Sequence, residues 1–185
     1  HGSVMSPVPP SVLFLYSTID GHTIKICERL QAQLEAAGWA TAVQEISACD
    51  EAALAAAELV VIGASIRYGR HRPAVLAFMR RQRARLEGRC AFFSVNVVAR
   101  KPAKNTPETN PYFRKFLARL GWQPALLAVF AGRIDYPRCG PLDRLAIRLI
   151  MWITKGPTDP HGVFEFTDWV AVDAFGARLV AALPR

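Results

Sequence analysis

Two phosphate-binding signatures are missing from this 185-residue chain. It has no Gly-x-x-x-x-Gly-Lys, which removes an ATPase cradle, and no Gly-x-Gly-x-x-Gly, which removes the dinucleotide fingerprint. Cys27, Cys49, Cys90 and Cys139 are widely spaced and form no Cys-x-x-Cys, so neither a zinc site nor a disulfide framework is expected. His71 and His161 have no partners at metal-ligand spacing, and no Ser/His/Asp or Cys/His arrangement is evident. No uncharged apolar run approaches the roughly 18–20 residues that span a bilayer. There is no internal repeat and no low-complexity linker. Acidic residues are scarce where basic ones are dense: positions 67–155 hold 19 of the 23 Lys and Arg but only 4 of the 15 Asp and Glu. Such asymmetry predicts an anionic partner: nucleic acid, anionic headgroups or a carboxylate-bearing substrate. No nucleic-acid-binding motif accompanies it, so nucleic acid is not expected. Part of the charge, around Arg80-Arg81-Gln82-Arg83-Ala84-Arg85, reads as a solvated helix face.

What is present suits one domain over 11–185, since 51% of the residues are apolar and the length allows a full core. Residues 1–10 are read as a tag remnant, His1-Gly2-Ser3, and an N-terminal extension. Positions 5–10 lack the basic and apolar regions of a signal peptide. The expected location is therefore the cytosol or the cytosolic face of a membrane.

The richest local signal is Leu13-Phe14-Leu15-Tyr16-Ser17-Thr18-Ile19-Asp20-Gly21-His22-Thr23. A short apolar run stops in a hydroxyl-rich loop, and a helical pattern follows over 24–37. Free N–H groups and the dipole at such a helix start suit a phosphate. Ser17, Thr18 and Thr23 add hydroxyls, and Gly21 permits a positive-φ turn. The same pattern also serves as a plain strand-to-helix turn. Asp20 reads as a turn or capping residue rather than a base.

Further along, strands are predicted over 12–16, 40–46, 59–63, 90–95 and 126–131. Helices are predicted over 24–37, 51–57, 74–86, 111–120 and 168–183, with Gly38 closing the first. Alternation of this kind predicts an α/β fold: a doubly wound, five-stranded parallel sheet. Ligands bind at the carboxyl ends of such strands. Three segments should meet there: 17–23, 64–70 and 94–101. The second holds Ala64, Ser65, Ile66, Arg67, Tyr68 and Gly69. The third holds Ser94, Val95, Asn96, Arg100 and Lys101. A phosphate loop facing an aromatic-bearing loop suits a flat ring with a phosphate tail, which describes FMN.

On these blocks the chain resembles a known family. Tyr16 to Thr23, Val61-Ile62-Gly63-Ala64-Ser65-Ile66-Arg67-Tyr68-Gly69, Phe93-Ser94-Val95-Asn96-Val97-Val98-Ala99-Arg100-Lys101-Pro102 and Tyr136-Pro137-Arg138 carry the likeness. Asn105 to Asn110 and Thr167-Asp168-Trp169 also fit. The chain resembles the flavodoxin-like, quinone-dependent protoporphyrinogen IX oxidases of bacterial haem synthesis, from about residue 12 to 183. The phosphate loop alone is shared with all flavodoxins. The resemblance implies FMN as cofactor, protoporphyrinogen IX as a substrate losing six electrons in three two-electron steps, and menaquinone or ubiquinone as acceptor. It implies peripheral attachment at the cytoplasmic face of the inner membrane. FMN is expected on Ser17, Thr18, Asp20, Gly21, His22, Thr23, on residues 64–69, on Ser94, Val95 and Asn96, and on Asp135. Arg67, Arg100 and Lys101 are candidates for the substrate's propionates. No catalytic base is assigned; Asp135 and Tyr136, read as ending strand 5 near the cleft, are candidates for proton transfer. The alternative reading is a flavodoxin-like electron carrier with no porphyrinogen substrate. Plain flavodoxins are acidic, however, and this chain carries a net charge of +8.

Residues 134–166 read as an insertion between strand 5 and the last helix. Leu142, Leu145, Ala146, Leu149, Ile150 and Ile153 form a helical stripe, with Arg144 and Arg148 on its polar side and Lys155 near its end. That pattern suits a membrane surface. A helix packed on the core, or a homo-oligomer formed through the stripe, are the other readings.

Overall fold

The computed structural model describes residues 9–18, 21–67 and 70–184. Five parallel strands make the sheet: β1 (Val12–Ser17), β2 (Thr41–Glu45), β3 (Leu59–Arg67), β5 (Cys90–Asn96) and β6 (Leu126–Ala131). Their order is β2-β1-β3-β5-β6, and β4 (Arg70–His71) folds back antiparallel on the end of β3. The order reverses between β1 and β3, so the crevice above that point is where such a fold holds its ligand. The chain rises out of that edge at Ser17, Ala64 and Ser94, which lie side by side in register.

Helices cover both faces, because the central strands are apolar on both sides. On one face Leu13, Leu15, Val60, Ile62 and Phe92 pack beneath α2 (Glu51–Ala56), α3 (Pro73–Arg81), α4 (Arg83–Leu86) and α5 (Pro111–Leu120). On the other, Phe14, Val61 and Phe93 pack beneath α1 (His22–Ala36) and α7 (Trp169–Ala182). Gly63 is required here, because a Cβ at that position would run into the Phe93 ring.

The expected sheet is present, and three local expectations change. The helix read over 74–86 breaks at Gln82, whose backbone (φ −96°, ψ 15°) leaves the helical region while its amide reaches Glu51 at 3.3 Å. Residues 64–67 are not loop; they continue β3, because β4 supplies the partner that extends it. Asp135 and Tyr136 do not end the fifth parallel strand. That strand stops at Ala131, and Asp135 closes a separate short strand, β7 (Arg133–Asp135), paired antiparallel with β8 (Val163–Glu165).

The β7–β8 ribbon carries the insertion, whose centre is α6 (Pro141–Ile153). The stripe read from its periodicity is present but faces out: Leu142, Leu145, Leu149 and Ile153 are all exposed, Leu142 at 83%. Its opposite side faces the protein, with Met151 and Ile147 against Ile134, Tyr136 and Phe164. Arg144 and Arg148 are on that inner side, which corrects the expectation that they meet headgroups. Arg144 donates to the carbonyls of Tyr136 (3.1 Å) and Cys139 (3.3 Å), and Arg148 to that of Thr158 (2.8 Å). Two long cations thus fasten the loops around α6 through charge-assisted hydrogen bonds to backbone carbonyls.

Candidate functional site

The first-strand loop is built for an anion. Gly21 takes φ 85° at the N-cap of α1, where glycine supplies no capping oxygen for the first-turn N–H groups. Thr18 Oγ1 accepts from Gly21 N at 3.0 Å and holds the turn. Ser17 and Thr23 stand at either end of the loop, buried to within 1%. Among the described residues, neither Ser17 Oγ nor Thr23 Oγ1 has a hydrogen-bond partner. A buried hydroxyl without a partner costs about 1–3 kcal/mol, and two at one helix start could hold an anionic ligand's oxygens. Asp20 lies outside the described residues.

His22 is also in this loop but points across to the end of the sheet. Its Nε2 is 2.7 Å from Thr167 Oγ1, and Thr167 donates to Ala131 O at 2.7 Å. With that hydroxyl proton used, the imidazole donates from Nε2. Nδ1 lies 3.9 Å from Glu165, and the ring meets Trp169 edge-on. His22 therefore ties the phosphate loop to the β8–α7 junction.

Ala64, Ser65 and Ile66 sit at the end of β3, beside β1; Tyr68, Gly69 and the Arg67 side chain are outside the described residues. Ser65 Oγ is a third buried hydroxyl without a partner among the described residues. Val95 is core. Ser94 and Asn96 reach the same edge, and their side chains are engaged within the protein. Ser94 Oγ is 2.9 Å from His71 Nε2 and 3.4 Å from Asn96 Nδ2. Asn96 Oδ1 accepts from Ala99 N (3.0 Å) and from Asn110 Nδ2 (2.9 Å). Asn110 in turn caps α5 through Phe113 N. This chain of buried amides shapes the loop between β5 and α5. Burial among Phe92 and Phe116 pushes the His71 imidazole down to about 3, so it is neutral at physiological pH.

Sequence reasoning gives His71 and Asn110 no place in the site. The Asn110-Pro111 pair is a readable helix start; the role of His71 depends on the β3–β4 pairing, which sets its ring beside Ser94 of β5.

Of the expected substrate cations, Arg100 is engaged elsewhere. Its guanidinium donates to Val97 O, Thr154 O and Thr154 Oγ1 at 3.0–3.2 Å and lies over Phe166. It joins the β5 loop to the end of α6. Lys101 begins the next turn and is half-buried. Asp135 pairs with Arg133 at 2.9 Å and Arg138 at 3.5 Å. Cys27 and Cys90 are fully buried and their thiols are pushed well up by desolvation, so neither is a nucleophile. Among the described residues no cluster could hold a metal ion.

From the ends of β3 and β5 a cleft of about 1320 Å³ opens between α3 and α5 on one side and β7 and α6 on the other. It begins at Ser65, Ile66 and Asn96, where the expected flavin segments converge.

A hydroxyl-rich loop at the switch point of a doubly wound parallel sheet is the arrangement of a flavodoxin domain, and the flavodoxin domain model matches residues 13–161. Flavodoxin 1 from Bacillus cereus superposes with a TM-score of 0.54, covering 94% of this chain and 99% of that one at 14% identity. A flavodoxin from Pseudomonas aeruginosa gives 0.53, with 93% and 97% covered at 15% identity. Curated relatives are far closer in sequence. The protoporphyrinogen IX dehydrogenase [quinone] of Escherichia coli (strain K12) is 43% identical over 172 residues, covering 92% of this chain and 94% of the relative. The protein of the same name from Leishmania major is 42% identical over 182 residues, covering 97% and 78%. The chain belongs to the flavodoxin-domain family and, within it, to the quinone-dependent protoporphyrinogen IX dehydrogenases.

Proposed function

We propose that this chain is an FMN-dependent dehydrogenase that oxidises protoporphyrinogen IX to protoporphyrin IX and passes the electrons to a quinone. The observation that carries the reading is the pair of buried hydroxyls, Ser17 Oγ and Thr23 Oγ1, at the start of α1 in a member of this family. They fit a phosphate monoester: hydroxyl and N–H donors converge where the helix dipole favours negative charge. When bound, FMN supplies the two-electron redox chemistry.

The protein's share is position. Thr18 and Gly21 hold the phosphate turn in shape. His22 and Thr167 lock that turn against the end of β6. The His71–Ser94–Asn96–Asn110 chain fixes the β5–α5 loop at the mouth of the cleft. With its imidazole neutral, His71 adds no charge there. Three rounds of two electrons each convert the porphyrinogen, and each round reduces one quinone.

The exposed face of α6 supports a membrane surface as the place where quinone is met, at the cytoplasmic face of the inner membrane. Leu142, Leu145, Leu149, Trp152 and Ile153 form an apolar strip on a helix fastened from behind by two arginines. Burying each aliphatic side chain in lipid is worth about 1.5–3 kcal/mol, enough for peripheral attachment. Among the described residues no helix is long and apolar enough to cross a membrane.

The test is a purified protein assayed for bound FMN and for porphyrinogen oxidation with and without quinone. Ser17→Ala combined with Thr23→Val should lower FMN affinity at least tenfold while the apoprotein stays folded. Wild-type protein that neither binds FMN nor oxidises the porphyrinogen would remove the assignment.

A further inference from the structure

We infer that the α3–α5 wall of the cleft, with Lys115 and Arg119 as its principal cations and Arg80 beside them, receives the carboxylates of the substrate. This rests on the function proposed above and names the subsite it leaves open, since Arg100, held to Val97 and Thr154, is not among the residues that line the cleft.

The cleft is amphipathic in a definite way. On α5 the residues facing it are Tyr112, Lys115, Phe116 and Arg119, an i, i+3, i+4, i+7 set. On α3 they are Pro73, Leu76, Ala77 and Arg80, with the same spacing. Each helix thus presents both apolar contact and positive charge to the cleft, with Arg80 and Arg119 at the far ends of their sets. Across the cleft lie Ile147, Ile150 and Met151 of α6. Apolar groups line both walls, as a tetrapyrrole ring requires; Arg80, Lys115 and Arg119 stand on the α3–α5 wall, and Arg133, Arg138, Asp135 and Asp143 on the other.

The charges differ in how far they are committed. Arg133 and Arg138, on the β7 side, are paired with Asp135. Lys115 and Arg119 are exposed and have no carboxylate partner among the described residues. Arg80 donates through Nε and Nη2 to the Arg119 carbonyl, which pins the two helix ends together and keeps its positive charge at the cleft. From Tyr112 to Arg119 the helix advances roughly 10 Å at about 1.5 Å per residue. A ring held beside the flavin segments can therefore point its acidic side chains down this wall. The volume also fits: about 1320 Å³ exceeds what a drug-sized ligand occupies, leaving room for a macrocycle beside a cofactor ring.

The experiment uses the FMN-loaded enzyme with protoporphyrinogen IX and with its dimethyl ester, which has the same ring and no carboxylates. Lys115→Glu with Arg119→Glu should raise KM for the diacid about 100-fold, roughly tenfold for each charge-assisted hydrogen bond removed. Bound FMN and the flavin potential should not change. The ester should show the same KM with wild type and variant, and Lys115→Arg with Arg119→Lys should keep most of the diacid affinity. Lys115→Gln with Arg119→Gln provides the charge-neutral form, with a smaller rise in the same direction. A diacid KM within threefold of wild type, or equal losses for diacid and ester, overturns this subsite and leaves the proposed function standing. Wild-type enzyme that binds FMN yet oxidises neither compound overturns both.

Discussion

Helices α1 and α6 carry the same kind of apolar stripe and use it in opposite ways. In α1, Ile26, Leu30 and Leu34 lie at 0% exposure against β1, β3 and α7. In α6, Leu142, Leu145, Leu149 and Ile153 face outward, while Arg144 and Arg148 turn in to bond carbonyls. Helical period defines a stripe and leaves open which way it points. What decides is the partner. α1 follows a sheet strand and is delivered onto a bare apolar sheet face. α6 hangs from a two-stranded ribbon whose small apolar surface, Ile134, Tyr136 and Phe164, takes only Ile147 and Met151 of the helix's other side.

The largest expected effect tests the packed helix. Leu30→Ala should cost about 2–5 kcal/mol, as for other fully buried leucines, whereas Leu149→Ala should stay within about 0.5 kcal/mol. Urea unfolding of the two variants measures the contrast. Comparable losses at both sites would mean that α6 is covered in solution, for example by a second copy of the chain.

A second prediction probes the packed half through the desolvated, half-buried imidazole of His71. Burial lowers the His71 pKa from 6.5 to about 3. Between those values the unfolded chain takes up a proton that the native chain refuses, so stability falls as pH drops through the window. By pH 5 the loss from this group is about 2 kcal/mol relative to pH 7.5. His71→Gln keeps a polar partner for Ser94 and should lack that share of the acid sensitivity. Equal pH dependence in both proteins, read from urea midpoints, would show that the imidazole titrates freely.

The smallest effect on stability should come with a large effect on location. Leu149→Glu with Ile153→Glu should leave Tm and bound FMN unchanged and release the protein from anionic vesicles in a flotation assay. Since Arg144 and Arg148 face inward, few cations on α6, Lys155 beside its end among them, are left to meet headgroups. The wild-type attachment should therefore weaken only modestly between low and physiological salt. Activity with a membrane-embedded quinone should fall well below activity with a small soluble acceptor. Vesicle binding that survives the double substitution would move the contact away from α6.

Much of the packed half was legible in the sequence. The parallel sheet and its five strands follow from short apolar runs alternating with helical stripes, because a strand buried on both faces must be apolar throughout. The hydroxyls of Ser17 and Thr23 were readable as donors, but their lack of partners became visible only in three dimensions. Residues 64–67 looked like loop because their extra pairing comes from β4, two residues of sequence with no strand signal of their own.

By itself the sequence determined which residues could be strand, helix and phosphate turn, and where positive charge accumulates, since those depend on neighbours a few positions apart. Only the tertiary structure decided what the charges and stripes face. It turned Arg144 and Arg148 inward, took Arg100 for the joint between the β5 loop and α6, buried His71 beside Ser94, and set Lys115 and Arg119 beside an apolar cleft. The reason is physical. A guanidinium or imidazole can bond any acceptor within reach, and which acceptor comes within reach is set by chain segments tens of residues away.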